Sequence, residues 1–241
     1  MENNSTEKGI FITLEGPDGS GKSTVAKIVV GYFLKLYPDR VFLTREPGGN
    51  NNIIAEDIRA ILLNKDEYKI ADRAEALLFA ASRNQHINDF IKPHLKKGDI
   101  VICDRFVHSS LIYQGYARGI GIDEVFKIND FAIEGVYPDK TFFLMISPEV
   151  GIQRILQNKK REYNRLDKEP MDLHEKVFKG FEKMVHDGYV DLIWDKNKVP
   201  LVEPIVIDAN QSIKKVASDI IGDIKKLLKE KNYDPKINKV K

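Results

Sequence analysis

Cysteine and long apolar segments are both nearly absent from this sequence of 241 residues. Its single cysteine, Cys103, excludes an intramolecular disulfide and any zinc site built from several cysteines. No apolar run approaches the roughly 20 residues that a membrane-spanning helix needs, and the polar residues 1–9 lack the apolar centre of a secretory signal. We therefore expect a cytoplasmic protein with no membrane partner.

A strong excess of one charge is missing as well. Lys and Arg total 38 and Asp and Glu total 36, so the formal net charge is +2. Seven lysines between Lys225 and Lys241, against two acidic residues, place a net charge of +5 at the C-terminus, which leaves −3 for the rest. This mildly acidic body disfavours nucleic acid as a partner. We expect the basic tail, residues 230–241, to be disordered.

Short apolar runs alternate with longer amphipathic stretches along the chain. The predicted strands cover residues 10–14, 41–44, 100–103, 140–146 and 205–207. Helical patterns cover residues 21–36, 53–63, 71–95, 109–116, 123–133 and 212–229, and one more helix begins at Pro148, where a first-turn proline is tolerated. Nearly all-apolar strands separated by helices predict a parallel sheet covered on both faces. We expect one α/β domain over residues 1–229.

A phosphate-binding motif follows the first predicted strand. Residues 16–23 fit the pattern G-x-x-x-x-G-K-[ST] and open the first predicted helix. Glycines allow several backbone N–H groups to converge on phosphate oxygens, and the helix N-terminus adds a positive end. Lys22 can reach the β- and γ-phosphates, and the Ser23 hydroxyl can ligate Mg²⁺. The expected ATP-binding residues in this loop are Gly16, Pro17, Asp18, Gly19, Ser20, Gly21, Lys22, Ser23 and Thr24. The alternative is a glycine-rich turn without a ligand.

A small phosphotransferase is the function class that the sequence favours. Residues 195–198 do not supply the Asn-Lys-x-Asp motif of GTPases, and motors or helicases need a longer chain. Arg45 and Arg105 follow the second and third predicted strands, where the ligand loops of open α/β sheets gather. The planar fork of arginine binds phosphate in bidentate fashion, so these two residues are candidates for holding a second phosphorylated substrate.

Five segments, in order and with near-standard spacing, resemble bacterial thymidylate kinases. They are residues 16–24, 45–49, 79–83, 104–106 and 113–115, within a match that runs from about residue 9 to residue 229. The resemblance implies transfer of a phosphoryl group from ATP to dTMP with Mg²⁺, in the pathway to dTTP. It also implies a P-loop kinase fold, with a five-stranded parallel sheet of order 2-3-1-4-5, and a homodimer. Glu46–Pro47 is a cis-peptide candidate in this family, although X-Pro bonds in general favour trans.

The resemblance also implies how the phosphate and sugar of dTMP are held. Arg45, Arg59 and Arg105 surround the phosphate. Asp18 accepts a hydrogen bond from the sugar 3′-hydroxyl, and Tyr113 lies where a ribonucleotide carries its 2′-hydroxyl. From the residues alone, Asp18 could instead organise the loop, and Tyr113 could be a buried core tyrosine.

The base of dTMP is expected on one face of two helices. Phe79 and Arg83 are four residues apart and share a helix face. The resemblance implies that Phe79 stacks on thymine and that Arg83 donates to thymine O4. Ser110 and Gln114, also four apart, are implied to reach the base edge.

Metal and adenine contacts complete the implied site. Asp104 would support Mg²⁺ through water beside Ser23, with a local salt bridge as the alternative. Arg154, together with the turn at residues 208–210, would flank adenine. His108 stands where an acidic residue is common in the family, and we interpret it as a surface residue.

The charged segment at residues 158–169 predicts a lid. A cation that arrives on closure can stabilise the charge of phosphoryl transfer, and family members with a glycine at the position of Gly19 supply that cation from the lid. Arg161 and Arg165 are the candidates, whereas a solvated loop is the alternative reading. The expected catalytic residues are Lys22, Arg105, Arg161 and Arg165. Two rival functions are another small P-loop kinase for a different nucleotide or nucleoside, and a nucleotide-binding regulator without turnover.

Overall fold

Five parallel strands form one sheet in the computed structural model, which describes residues 9–49, 52–63, 69–157, 165–186 and 204–233. The strands are β1 (Ile10–Glu15), β2 (Val41–Arg45), β3 (Ile100–Asp104), β4 (Lys140–Met145) and β5 (Ile205–Asp208). Their order is β2-β3-β1-β4-β5, which confirms the predicted topology. All six residues of β1 are buried, as expected for a central parallel strand with helices on both faces.

The helices lie close to their predicted positions. They are α1 (Lys22–Leu36), α2 (Ile53–Leu63), α3 (Asp72–His86), α4 (Lys92–Lys96), α5 (Val107–Ser110), α6 (Ile122–Ile133), α7 (Pro148–Gln157), α8 (Met171–His186) and α9 (Ile213–Glu230). A π-helical turn, Ile87–Ile91, joins α3 to α4, and a second, Leu111–Ala117, continues α5. A short 3₁₀ turn, Arg165–Lys168, precedes α8. The helix α8 has no counterpart among the sequence predictions. No described helix is long and apolar enough to cross a membrane.

Alternating side chains of β1 enter two separate core layers. Ile12 and Leu14 pack with apolar residues of α1 and α9 on one face of the sheet. Phe11, on the other face, packs with residues of β3, α6 and α8. The hydroxyls of Thr13 and Thr141 are 2.9 Å apart, which satisfies two buried polar groups between β1 and β4.

The strand register brings three chain segments to one edge of the sheet. Asp104, at the end of β3, is the register partner of Leu14 in β1 and of Arg45 in β2. The loops that follow these three strands therefore begin side by side at the carboxyl edge, where ligand sites of open α/β sheets form.

The C-terminal segment is packed further than the sequence indicates. Helix α9 extends to Glu230, and the Lys231 ammonium lies 2.6 Å from a carboxylate oxygen of Asp139. The Tyr233 ring packs edge-on against Tyr37, and its hydroxyl donates to the Gly98 carbonyl at 2.8 Å. The expected disorder is therefore wrong for residues 230–233, while residues 234–241 lie outside the described residues.

Candidate active site

A cavity of about 910 Å³ opens at the carboxyl edge of the sheet. Its walls come from the loop after β1, the ends of β2 and β3, and helices α1, α2, α3, α5 and α7. The predicted site residues that line it are Asp18, Gly19, Gly21, Lys22, Ser23, Thr24, Arg45, Arg59, Phe79, Arg83, Asp104, Arg105, Ser110, Tyr113, Gln114 and Arg154. Gly16, Pro17 and Ser20 belong to the same loop but are not among the lining residues.

The phosphate-binding loop is shaped by close approach to α7. Gly19 has φ +78°, and a Cβ on it would lie 2.1 Å from the carbonyl oxygen of Gly151. Any side chain at this position would therefore collide with the backbone of α7. The loop therefore lies directly against the backbone of α7 and carries no side chain at Gly19.

Lys22 is buried inside this loop. Its ammonium donates to the carbonyl oxygens of Gly16 at 2.9 Å and Pro17 at 2.8 Å. Burial and the neighbouring charge of Arg105 lower the pKa of Lys22 to about 7, against the opposite effect of nearby carboxylates. A bound phosphate would supply the negative charge that favours the protonated form.

Ser23 and Asp104 lie together at the first turn of α1. The Ser23 hydroxyl donates to Oδ2 of the Asp104 carboxylate. A hydroxyl and a carboxylate are both hard oxygen ligands of the kind that Mg²⁺ takes up. The chemistry of the pair therefore fits the magnesium position that the sequence implies.

Arg105, Asp18 and Tyr113 form one connected cluster. The Arg105 guanidinium donates to Asp18 Oδ1 at 2.6 Å, and the Tyr113 hydroxyl donates to Asp18 Oδ2 at 2.7 Å. Arg105 also donates to the Gly16 carbonyl at 3.0 Å, so it connects the phosphate loop with the helix that follows β3. Tyr113 lines the cavity and makes a hydrogen bond to a loop carboxylate, which sets it apart from a core tyrosine.

The backbone at Arg105 is unusual for a residue with a side chain. Its φ of +73° lies in the left-handed region that non-glycine residues rarely adopt. Two hydrogen bonds hold the conformation: Arg105 N–H donates to the Leu14 carbonyl at 2.9 Å, and Phe106 N–H donates to Glu15 Oε1 at 2.8 Å. Burial raises the pKa of Glu15 despite hydrogen bonds from Ser109 and Phe106. Glu15 was not predicted as a site residue, because it lies between the predicted strand at residues 10–14 and the motif at residues 16–23 and belongs to neither.

Arg45 and Arg59 share one backbone acceptor. Both guanidinium groups donate to the Pro47 carbonyl, at 2.8 Å and 3.1 Å. The Glu46–Pro47 bond is cis, as the family resemblance implies. Glu56 accepts from Arg45 at 3.1 Å and from the Gly49 N–H at 2.9 Å, which ties the loop to α2. Arg45 and Arg59 therefore present adjacent positive charges on one wall of the cavity.

Arg83 also lines the cavity and is 2% exposed. It donates to Glu46 Oε2 at 2.7 Å, to the Ser110 hydroxyl at 3.1 Å and to the Phe106 carbonyl at 2.9 Å. It also donates to the side chain of Asn129 in α6. Neither Glu46 nor Asn129 was predicted as a site residue. Glu46 lies inside a quoted motif and could have been found there, whereas Asn129 sits in an ordinary amphipathic helix.

Gln114 and Arg165 meet at a carboxylate that the sequence did not single out. Gln114 Nε2 donates to Glu75 Oε1 at 3.0 Å, and Arg165 donates to Glu75 Oε2 and to the Leu62 carbonyl. Arg165 is not among the residues that line the cavity, and Arg161 lies outside the described residues.

Arg154 and His108 complete the comparison with the sequence. Arg154 donates to the Ala209 carbonyl at 3.1 Å, so it contacts the turn that was expected to flank adenine. The interpretation of His108 as a surface residue is wrong, since its side chain is fully buried between Glu15 and the ring of Phe143. Burial and the charge of Arg83 lower the pKa of His108 to about 3.

Comparisons with known proteins agree with this geometry. A family model described as thymidylate kinase matches residues 14–220. The thymidylate kinase of Clostridium novyi is 49% identical over 218 residues, covering 90% of this chain and 99% of the relative. The thymidylate kinase of Staphylococcus epidermidis is 47% identical over 219 residues, covering 91% and 98%. The crystal structure of thymidylate kinase from Ehrlichia chaffeensis matches with a TM-score of 0.67 and 30% identity, covering 90% and 99%. On sequence and structure together, the chain belongs to the thymidylate kinase family.

Proposed function

We propose that this protein transfers the γ-phosphoryl group of ATP to dTMP in the presence of Mg²⁺ and produces ADP and dTDP. Membership of the family makes the chain a kinase with a nucleotide substrate. The observation that carries the finer proposal is the cavity itself. The phosphate-loop residue Lys22, the base-pocket residues Phe79 and Arg83, and Arg105 all line this one cavity, and Arg105 donates to the loop at Gly16 and Asp18. We propose that the reaction takes place in the cytoplasm and belongs to the pathway to dTTP.

ATP and Mg²⁺ would lie at the phosphate loop. When bound, they supply the transferable phosphoryl group and neutralise charge on its oxygens. Lys22 would leave the carbonyls of Gly16 and Pro17 to hold the phosphates, and Ser23 with Asp104 would hold the metal. Arg154 would cover the adenine end, where it already contacts the Ala209 turn.

The phosphate of dTMP would lie between Arg45, Arg59 and Arg105. Their guanidinium groups line one cavity, and each can bind a phosphate oxygen pair. Arg105 is fastened to the loop through the Asp18 carboxylate and the Gly16 carbonyl, so it would orient the acceptor toward the phosphate loop. We assign the sugar 3′-hydroxyl to Asp18 and the space beside the 2′ position to Tyr113.

Thymine would stack on Phe79 and face Arg83. Four of the five N–H groups of Arg83 have acceptors among the described residues: Glu46, Ser110, Asn129 and the Phe106 carbonyl. A guanidinium has five N–H groups in all, and we assign the remaining one, on Nη2, to thymine O4. Because the other four are bound, this donor is aimed before the substrate arrives.

The lid over residues 158–169 would supply a side-chain cation to the transferring group in addition to Lys22 of the loop. Gly19 offers no side chain, and Arg165 already donates to Glu75 and to the Leu62 carbonyl. We therefore assign the transition-state cation to Arg161.

Exposed apolar residues on α2, α3 and α6 support a homodimer. Ile61, Leu77 and Phe131 are exposed on these three helices, and Phe131 is 87% exposed. Helix α3 contacts both α2 and α6, so the three side chains belong to neighbouring helices. Isolated apolar residues are normal on surfaces, whereas apolar side chains exposed on neighbouring helices suit an interface with a second copy. Phe131→Asp should convert a dimer to a monomer in analytical ultracentrifugation, whereas the control Leu36→Asp, at an exposed leucine of α1, should not. A wild-type monomer would refute this part.

Product analysis tests the proposed reaction. Purified protein incubated with dTMP, ATP and Mg²⁺ should form equimolar ADP and dTDP, resolved by anion-exchange chromatography. Formation should stop when EDTA removes the metal, and Asp104→Asn should raise the Mg²⁺ concentration that half-maximal activity requires. Nucleotide binding without release of ADP would instead indicate the regulator, and the proposed function would be wrong.

A further inference from the structure

Glu75 is a buried carboxylate directly behind the base pocket. It lies in the first turn of α3, four residues before Phe79 and eight before Arg83, so the three side chains share one face of the helix. Glu75 is 1% exposed and does not line the cavity. It therefore cannot contact the base and must act through its partners.

Each oxygen of Glu75 has its own set of donors. Oε1 accepts from Gln114 Nε2 at 3.0 Å and from Arg118 Nε at 3.3 Å. Oε2 accepts from Arg118 Nη2 at 3.3 Å and from Arg165 Nη2. Burial opposes the charge of this carboxylate, but hydrogen bonds from Arg165 and Gln114 and the charge of Arg118 outweigh burial and lower its pKa. Glu75 is thus ionised at neutral pH.

An ionised carboxylate decides which way the Gln114 amide faces. A carboxylate only accepts hydrogen bonds, so the NH₂ group of Gln114 must point toward Glu75. The amide oxygen then points away from Glu75, and no described residue donates to it. Since Gln114 lines the cavity, this oxygen is available as a hydrogen-bond acceptor to a bound base.

We propose that Glu75 is a positioning residue that determines base specificity. It orients the Gln114 amide so that the amide oxygen accepts a hydrogen bond from thymine N3–H. This inference rests on the proposed function. With Arg83 as donor to O4, the pocket then presents a donor beside an acceptor. Thymine matches this pattern with O4 and N3–H, whereas a cytosine ring opposes it at both positions, with an amino group at C4 and an acceptor at N3.

The substitution Glu75→Gln should reverse the direction of the Gln114 amide. Oε2 accepts from two arginine donors, whereas Oε1 accepts from one arginine donor and the neutral Gln114 amide, so the carbonyl oxygen of the new glutamine is favoured at the Oε2 position. The NH₂ group of the new glutamine then takes the place of Oε1 and faces Gln114. Gln114 must turn its own oxygen toward that NH₂, which places its NH₂ group against the base.

The experiment measures the dissociation constants of dTMP and 5-methyl-dCMP by isothermal titration calorimetry. The two probes share the 5-methyl group and differ only at N3 and C4. The wild type should prefer dTMP. Glu75→Gln should weaken dTMP binding about tenfold, since one hydrogen bond is lost and a donor is left unpaired, without weakening 5-methyl-dCMP. Affinity for a non-hydrolysable ATP analogue should stay the same.

A double-mutant cycle separates this role from general support of the fold. In a Gln114→Ala background, Glu75→Gln should cause no further loss of dTMP affinity, because its effect passes through Gln114. Arg118→Gln is the matched control, since it removes a Glu75 partner but leaves the contact between Glu75 and Gln114, and it should retain the preference for dTMP. If Glu75→Gln does not fold, Glu75→Asp provides a second test. The shorter aspartate keeps the negative charge but moves it away from Gln114, so the preference for dTMP over 5-methyl-dCMP should decrease.

Two results would overturn the inference. One is an unchanged ratio of the two dissociation constants in folded Glu75 variants, and the other is fully additive losses in the cycle. Either result in a protein that binds dTMP would refute the role of Glu75 alone. A wild type that binds neither probe would instead refute the proposed function.

Discussion

Nucleotide binding should draw a proton onto Lys22. The pKa of this buried ammonium is lowered to about 7 in the phosphate-free protein, because burial and Arg105 disfavour its charge. A phosphate beside it favours the charged form and raises the pKa again. The proton therefore moves from solvent to protein on binding, and affinity must fall as the pH rises above 7.

The magnitude follows from the position of the pKa. At pH 8, one unit above about 7, roughly 90% of Lys22 is neutral, so binding takes up about 0.9 proton; at pH 6 the uptake falls to about 0.1 proton. Between pH 8 and pH 9 the affinity for a phosphate ligand should fall about tenfold.

Calorimetry in two buffers measures this uptake directly. ADP is titrated into the protein at pH 8 without metal, in buffers with different ionisation enthalpies, and the difference in observed heat gives the number of protons. Lys22→Met should abolish the uptake, whereas Lys35→Met, at an exposed lysine of the same helix, should retain it. Equal heats in both buffers for the wild type, or an unchanged uptake in Lys22→Met, would refute the reasoning.

Three further predictions concern the lid, the base pocket and the buried histidine. Arg161→Ala should lower kcat at least tenfold with little change in ATP affinity, because an arginine at such a transition state contributes about 10³–10⁵-fold to the rate. Steady-state kinetics measure this effect, and Arg165→Ala, whose kcat should fall less, provides the comparison. Arg83→Ala should lower the free energy of unfolding in urea by about 3–5 kcal/mol, because it leaves the Glu46 carboxylate buried without its guanidinium, and a loss below 1 kcal/mol would contradict this. The pKa of His108 is about 3 in the folded protein and 6.5 in the unfolded chain, so the unfolded chain binds more protons between pH 6.5 and pH 3. The free energy of unfolding should therefore fall as the pH falls through this range, by up to about 5 kcal/mol. In His108→Leu the urea-unfolding free energy should depend less on pH between 6.5 and 3, and equal slopes in both proteins would refute the assignment.

The sheet and the phosphate loop could be predicted because their signals are local. Five apolar runs and the residues 16–23 motif each carry their own pattern, and the family resemblance supplied the strand order that the structure confirms. Helix α8 was not predicted from the sequence, although its residues Val177 and Phe181 belong to the core. The buried residues Val177, Phe181 and Met184 recur at helical spacing, so α8 could have been predicted from the sequence.

The residues that hold the cavity-lining side chains in place could not be predicted, because their contacts join segments that are distant in the sequence. Glu75 and Gln114 are 39 residues apart, and Arg83 and Asn129 are 46 apart. His108 is buried because the strand register brings Glu15 and Phe143 against it, and a lone histidine in a sequence carries no sign of that.

Competition between acceptors tests the central claim most directly. The protein is incubated with ATP, Mg²⁺ and an equimolar mixture of dTMP, dUMP, dCMP, dGMP, UMP and AMP, and initial rates of each diphosphate are followed by mass spectrometry. The ratio of rates gives the ratio of kcat/KM values. The account predicts that dTDP forms fastest and that dUMP follows about 10–200-fold lower, since it lacks one methyl contact. Faster phosphorylation of a purine monophosphate, or of dCMP, would contradict the account.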